Sequence, residues 1–426
     1  MNGLDWHEGR VVWERKPGAP PPAARAKKGN ATRRAAAIIA CSLVAVLMAG
    51  CSAATAPGTP SSGGSGEKKS TYKLGAVVSL TGTYAGLGQP EKNVIDMEVE
   101  RINAAGGING HPLEVVVLDD ATDVKKAVSD TAKLIDEEKV LGVLGATGSG
   151  QTMAMRGEID KASVPQVSMA GATVITKQFD KWVFQTPWSN VIVLPLELKY
   201  MQSKGVKKLA LLSDSSAFGK DGVEVAKANL GKYGISVVAE ETFNPGDTDM
   251  TAQLTKIKSA NPDAILLVNA GKEAAIVVKG ARQLGVTAAI YGTHGNARAE
   301  FIQGAGTAAD GFVFGAGKVL VPDAYGKDTE AYKIATDFVD RYTKKYGAAP
   351  STFAGHAYDA LYLTVEAMKR LPEGFTPEQL RDEIEKTSGF VGIGGTFTFS
   401  PTDHNGMTEN DLVMYKIENG KWALAQ

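Results

Sequence analysis

Short apolar runs alternate along this chain with stretches whose apolar residues recur at helical spacing, and the first alternation sets the pattern for the rest. Residues 74–80, LGAVVSL, suit a buried strand. Residues 81–90 carry three glycines and a proline, so the chain is expected to leave the sheet there. From Glu91 onward, Ile95, Val99 and Ile102, flanked by Val94 and Met97, form one face of a helix. Gly106 and Gly107 end it, because glycine takes the backbone angles a helix end favours. Residues 113–118 are apolar again and close on Asp119 and Asp120, which completes a strand–helix–strand unit.

The unit recurs. A helix over 124–138, a strand over 140–144, a glycine-rich loop over 145–150, a helix over 151–162 and a strand over 166–169 follow. Residues 182–186 lead through Pro187, Trp188 and Ser189 into a helix over 191–205, which opens a second series. Its strands fall at 209–212, 237–241, 264–268 and 289–291, with helices at 221–233, 250–260 and 272–284. Strand and helix alternating without hairpin signals predict parallel, doubly wound α/β sheets, and two series predict two lobes. Three amphipathic segments, 329–346, 352–371 and 376–386, precede a glycine-rich, β-prone stretch at 389–400 and a lone strand at 411–417. The tail is expected to cross back between lobes. One lobe then takes residues 72–187 and 321–395, the other 188–320 and 396–426.

The start of the chain breaks the pattern. Lys27, Lys28, Arg33 and Arg34 precede an apolar stretch at 35–48, followed by Ala49, Gly50 and Cys51. That stretch is shorter than the ~20 residues that span a bilayer and fits the hydrophobic region of a signal peptide. Small residues directly before a cysteine resemble the lipobox of a bacterial lipoprotein, with Met48 where leucine is usual. The resemblance implies removal of residues 1–50, lipidation of Cys51, and a body held at the membrane outside the cytoplasm. Residues 51–71 are rich in Gly, Ser and Pro and read as a flexible tether. Cys41 and Cys51 are the only cysteines, so the exported body has neither a disulfide nor thiol chemistry. A formal net charge of -1 gives no electrostatic claim on nucleic acid.

Each enzyme constellation fails on residue type or spacing. Gly315, Gly317 and Lys318 are followed by Val319, so a phosphate loop lacks its hydroxyl. GATGSG at 145–150 has its glycines misplaced for a dinucleotide fingerprint, and Ser149 lacks nucleophile-elbow spacing. Ser70 and Lys73 match S-x-x-K but sit beside the tether. His7, His111, His294, His356 and His404 are scattered without metal-ligand spacing. The reading is a binding protein with no cofactor and no metal. Loops after the strands carry Thr81, Thr83, Tyr84, Thr147, Ser149 and Thr173, several just before a helix. Hydroxyls beside helix N–H groups suit a carboxylate or another compact anion. In open α/β sheets such loops form the ligand crevice.

TGTYAGLG at 81–88, INAAGGINGHPLEVVVLDDATD at 102–123, GATGSGQT at 145–152 and VFQTPWSN at 183–190 resemble the branched-chain amino-acid-type solute-binding proteins of ABC importers. The similarity runs over about residues 72–420. It implies a type I periplasmic-binding fold, with two similar lobes, three crossover segments and hinge closure on a small-molecule solute, and ABC permease subunits as partners. A sensor of amides or amino acids on the same fold is the alternative use. By the resemblance, Thr147, Ser149, Ala170, Gly171, Ala172 and Thr173 hold the ligand in the first lobe with Tyr84 near the mouth, and Phe218, Ala270, Lys272 and His294 contribute from the second. Amino-acid binders of this type place an acidic side chain after the strand matching 289–291, where this chain reads Gly292-Thr293-His294-Gly295-Asn296. An imidazole is no counter-ion for ammonium. Either Glu273 or Glu300 serves instead, or the solute is a carboxylate or amide without an amino group.

Overall fold

The computed structural model describes residues 69–425. The leader, Cys51 and most of the 51–71 tether therefore lie outside the described residues. In order come β1 (Tyr72–Val78), α1 (Ala85–Ala104), β2 (Leu113–Asp119), α2 (Val124–Asp136), β3 (Val143–Gly145), α3 (Ser149–Ala162), β4 (Gln166–Ser168), α4 (Val174–Lys177) and β5 (Val183–Gln185). The second series is α5 (Asn190–Ser203), β6 (Lys208–Asp214), α6 (Ala217–Asn229), β7 (Ser236–Phe243), α7 (Thr251–Ala260), β8 (Ala264–Val268), α8 (Glu273–Gln283), β9 (Ala289–Tyr291), α9 (Ala299–Ala305) and β10 (Val313–Gly317). The last is α10 (Glu330–Tyr346), α11 (Thr352–Arg370), α12 (Pro377–Glu385), β11 (Phe390–Val391), β12 (Thr396–Phe397), β13 (Leu412–Glu418) and β14 (Lys421–Leu424).

Two sheets organise these elements. The first has the order β2-β1-β3-β4-β5 and is parallel throughout. β1 is covered on both faces, which is why its sequence is continuously apolar rather than alternating. Gly75 lets α2 lie directly on it, since a Cβ there would stand 2.7 Å from Leu134. The second sheet has the order β14-β13-β10-β9-β8-β6-β7. It is parallel from β10 to β7 and antiparallel at β13 and β14. The chain passes from the first sheet to the second after β5, returns after β10 and crosses again before β13.

Several expectations from the sequence shift. The helix expected from Glu91 starts at Ala85 and carries Pro90 inside it. The glycines that suggested a loop instead let its first turns press onto β1, because a Cβ on Gly88 would meet the Ser79 carbonyl oxygen at 2.2 Å. The strand at 411–417 is not alone: β13 pairs with β10 and β14. The 389–400 stretch makes only the small β11–β12 hairpin. Phe397, Phe399 and Met407 are buried in one cluster with Leu74 of β1 and Phe184 of β5.

α11 runs through the first lobe as its spine. Of its residues only Glu366, Lys369 and Arg370 escape burial, and Ala357, Leu361 and Met368 share a core with Leu74 of β1 and Val94 of α1. The polar residues in this helix are committed. The Asp359 carboxylate accepts N–H bonds from Ile393 and Gly394, each at 2.6 Å, and Tyr362 donates its hydroxyl to the fully buried Glu98 at 2.6 Å. Among the described residues no helix is long and apolar enough to cross a membrane.

Candidate functional site

Loops at the carboxyl ends of both sheets face one another across the cleft and enclose a cavity. From the first lobe come Tyr84 before α1, Thr147, Gly148 and Ser149 at the start of α3, and Met169, Ala170 and Gly171 after β4. From the second come Phe218 in α6, Ala270 after β8, and His294 and Gly295 after β9. Phe353 and His356 of α11 form the floor. The cavity volume is only ≈ 20 Å³, room for about one water and far below the usual size of a small-molecule site. The walls thus rest nearly against one another. Tyr84 and Leu87 of the first lobe even share an apolar cluster with Phe218, Val268 and Ala270 of the second.

The polar groups differ in what they still have to offer. The Thr147 hydroxyl accepts from the Ser79 amide at 3.0 Å and donates to Glu91, so it is largely spent inside its own lobe. Burial pushes the Glu91 carboxyl well above its ordinary range, and the Thr147 hydroxyl opposes that shift. Ser149 is different: its oxygen accepts from the Ala172 amide at 3.2 Å, which leaves its proton free to donate. Gly148 caps α3 with extended backbone and no side-chain cap, so the first N–H groups of a fourteen-residue helix open toward the same place.

His294 is 3% exposed and neither of its ring nitrogens has a hydrogen-bond partner. Its ring meets Phe218 edge-on at 5.2 Å, and its Nε2 faces Gly171, where a Cβ would stand 2.4 Å away. His356 is 1% exposed, meets Trp188 edge-on at 5.1 Å, and leaves Nδ1 unpartnered. Burial takes both imidazoles down to about 3, helped for His356 by the neighbouring His294. Both rings are therefore neutral at neutral pH. Buried polar atoms without partners are rare in native proteins, so their clustering on one cavity marks it as a place built to receive something.

Two contacts tie the lobes together beside the cavity. Asp221 of α6 accepts the backbone N–H groups of Thr173 at 2.8 Å and Val174 at 3.2 Å, at the head of α4. It also accepts from Asn190 at 2.8 Å. Tyr84 hydrogen-bonds Ser216, whose hydroxyl and amide both bond Asp214. Burial raises Asp214 to about 6 and pushes the Tyr84 phenol up as well.

Eight residues expected from sequence meet at this cavity: Tyr84, Thr147, Ser149, Ala170, Gly171, Phe218, Ala270 and His294. Three do not line it. Ala172 is taken up by Ser149, Thr173 by Asp221, and Lys272 is exposed on the far side of its loop. Leu87, Gly148, Met169, Pro187, Gly295, Phe353 and His356 were missed. His356 and Phe353 gave no signal, because 352–371 reads as amphipathic while α11 is in fact buried on nearly every side. Neither Glu273 nor Glu300 lines the cavity. Glu273 accepts from the Gly246 amide at 2.6 Å, and Glu300 is exposed.

Residues 71–421 match the periplasmic binding protein family. The chain is 26% identical over 349 residues to the leucine-, isoleucine-, valine-, threonine- and alanine-binding protein of Pseudomonas aeruginosa, covering 81% of this chain and 90% of that one. An extracellular ligand-binding receptor from Rhodopseudomonas palustris is 29% identical with a TM-score of 0.78, covering 84% of this chain and 100% of its own. The branched-chain amino acid transporter substrate-binding protein of Streptococcus pneumoniae, solved with isoleucine, is 32% identical with a TM-score of 0.74, covering 83% and 98%. These relatives are solute-binding proteins, not enzymes.

Proposed function

The chain belongs to the periplasmic binding protein family, and from that premise we propose that it is the extracytoplasmic substrate-binding component of an ABC importer. It captures a small amino acid, carboxylate or amide between its lobes and hands it to permease subunits. The observation that carries this reading is the two-lobed cavity, whose unpartnered ring nitrogens come from the second lobe and from α11, facing the N-terminus of α3 in the first. A solute touching both walls stabilises the closed state over the open one, because only the closed state offers all its contacts at once. The relatives named for leucine, isoleucine and valine support an amino acid or a near analogue as the solute.

The test is solution scattering on the protein titrated with amino acids, amides and organic acids. At least one solute should shrink the radius of gyration saturably, and cells lacking the gene should lose uptake of that solute. A panel in which no solute changes the profile would overturn the reading. Cys51, outside the described residues, is the proposed lipid anchor. Mass spectrometry of the native protein should find Cys51 lipidated at the N-terminus, and retention of residues 1–50 would refute this.

A further inference from the structure

We propose, resting on the solute-binding reading above, that this cavity selects a monocarboxylic acid that has an apolar or aromatic body and carries no ammonium group. An α-amino acid brings two charges into a closed cleft, and each needs a partner of its own. The cavity offers one kind of partner only. At the α3 end the free proton of Ser149 and the open N–H groups behind Gly148 point where a carboxylate would sit. The lining of the described cavity contains no carboxylate that could take an ammonium.

The buried acids nearby stand outside that lining. Asp214 accepts from the amide of Ser216 at 3.1 Å and from its hydroxyl, Glu273 from the Gly246 amide and Glu91 from the Thr147 hydroxyl, and each keeps one buried oxygen without a partner. The nearby cations are equally withdrawn. Arg298, 3% exposed, donates to the carbonyls of Ala270 and Gly271, and Lys272 is exposed. One carboxylate on helix dipoles is served, whereas a second would meet no cation.

His294 and His356 line the same cavity, and both ring nitrogens of His294 and Nδ1 of His356 are buried without a partner. A neutral imidazole offers one donor and one acceptor, which suits a hydroxyl, a keto oxygen or an amide rather than a formal charge. The apolar part of the lining is Leu87, Met169, Phe218 and Phe353. They would cover an apolar chain or a ring and offer a polar body nothing.

The experiment uses matched pairs that differ only in the ammonium: phenylalanine against 3-phenylpropanoate, and leucine against 4-methylpentanoate. Calorimetry on the unmodified protein should find at least one acid of the two bound at least tenfold more tightly than its amino-acid partner. His356→Gln, which keeps a neutral donor and acceptor, should hold that acid within about fivefold of wild type, while His356→Ala should weaken it roughly ten- to a hundredfold. An amino acid bound as tightly as its acid, or two acids that do not bind, would overturn the proposal. Lobe closure by an amino acid alone would sink the acid class and leave the receptor reading standing. Failure of every solute in the wider panel would sink both.

Discussion

Gly171 gives the sharpest test of where the solute sits. Its backbone lies outside the left-handed region, so alanine is conformationally allowed there. A Cβ would nevertheless stand 2.4 Å from Nε2 of His294, and 3.3 and 3.4 Å from Cδ2 and Cε1. Ordinary contact is about 3.5 Å, so the overlap is about 1 Å. His294 cannot easily retreat, because it is buried and braced on Phe218. Relief comes only by shifting a packed ring or parting the lobes. Overpacking of this kind costs about 1–3 kcal/mol, and here it falls on the closed state alone, since Gly171 and His294 belong to different lobes. At ~1.4 kcal/mol per factor of ten, Gly171→Ala should weaken solute binding roughly 5- to 150-fold. The melting temperature without solute should stay near that of wild type. Calorimetry with a solute that closes the wild-type lobes, combined with scattering, reads both effects. Wild-type affinity in a folded Gly171→Ala protein would refute the opposition of these two residues in the bound state.

Asp221→Ala removes the carboxylate that accepts two backbone N–H bonds and joins α6 to the head of α4. Stopped-flow release should be roughly ten- to a hundredfold faster, as expected for ~1.5–3 kcal/mol lost from the closed form, and unchanged release would show that these bonds do not hold the lobes. The two buried histidines set a pH dependence. Their folded values, about 3, lie below the ordinary 6.5, so their contribution to stability is complete above pH 6.5 and is lost as pH falls from there toward 3. At pH 4.5 each costs on the order of 2–3 kcal/mol relative to pH 7. Replacing both by glutamine should flatten that part of the melting-temperature profile, and a variant as acid-sensitive as wild type would contradict the assignment.

Most of the parallel framework was readable in the chain because buried strands such as β8 and β9 are short, apolar and bounded by polar turns; both fall where the pattern put them. β10 was not, since VFGAG has two glycines and little apolar periodicity, and its place is fixed by β9 and β13 on either side. The site was half legible. Loops that end strands can be located from the pattern, which gave Tyr84, Thr147 and Ser149, while Gly171 and His294 came from the family resemblance; all five line one cavity. Which face of a loop turns inward cannot, so Thr173 and Lys272 were expected at the cavity when one serves the lobe contact and the other faces solvent. His356 was hidden for another reason: it lies in a helix that arrives from far along the chain.

That helix dictates an order of assembly. β1 to β5 and α1 emerge early from the ribosome or a membrane pore, yet the apolar faces they must bury are covered by α11, which follows only after the whole parallel run of the second sheet. Until residues 352–370 have appeared, the first lobe lacks its spine, and although α2 and α3 can already cover one face of its sheet, the face that α11 covers stays in water. Contacts so distant in sequence form late and slowly. β6 to β10, by contrast, are contiguous and can pair as they arrive. The parallel run of the second sheet can therefore pair before the first lobe closes, an order that would suit a chain that must cross a membrane before it folds.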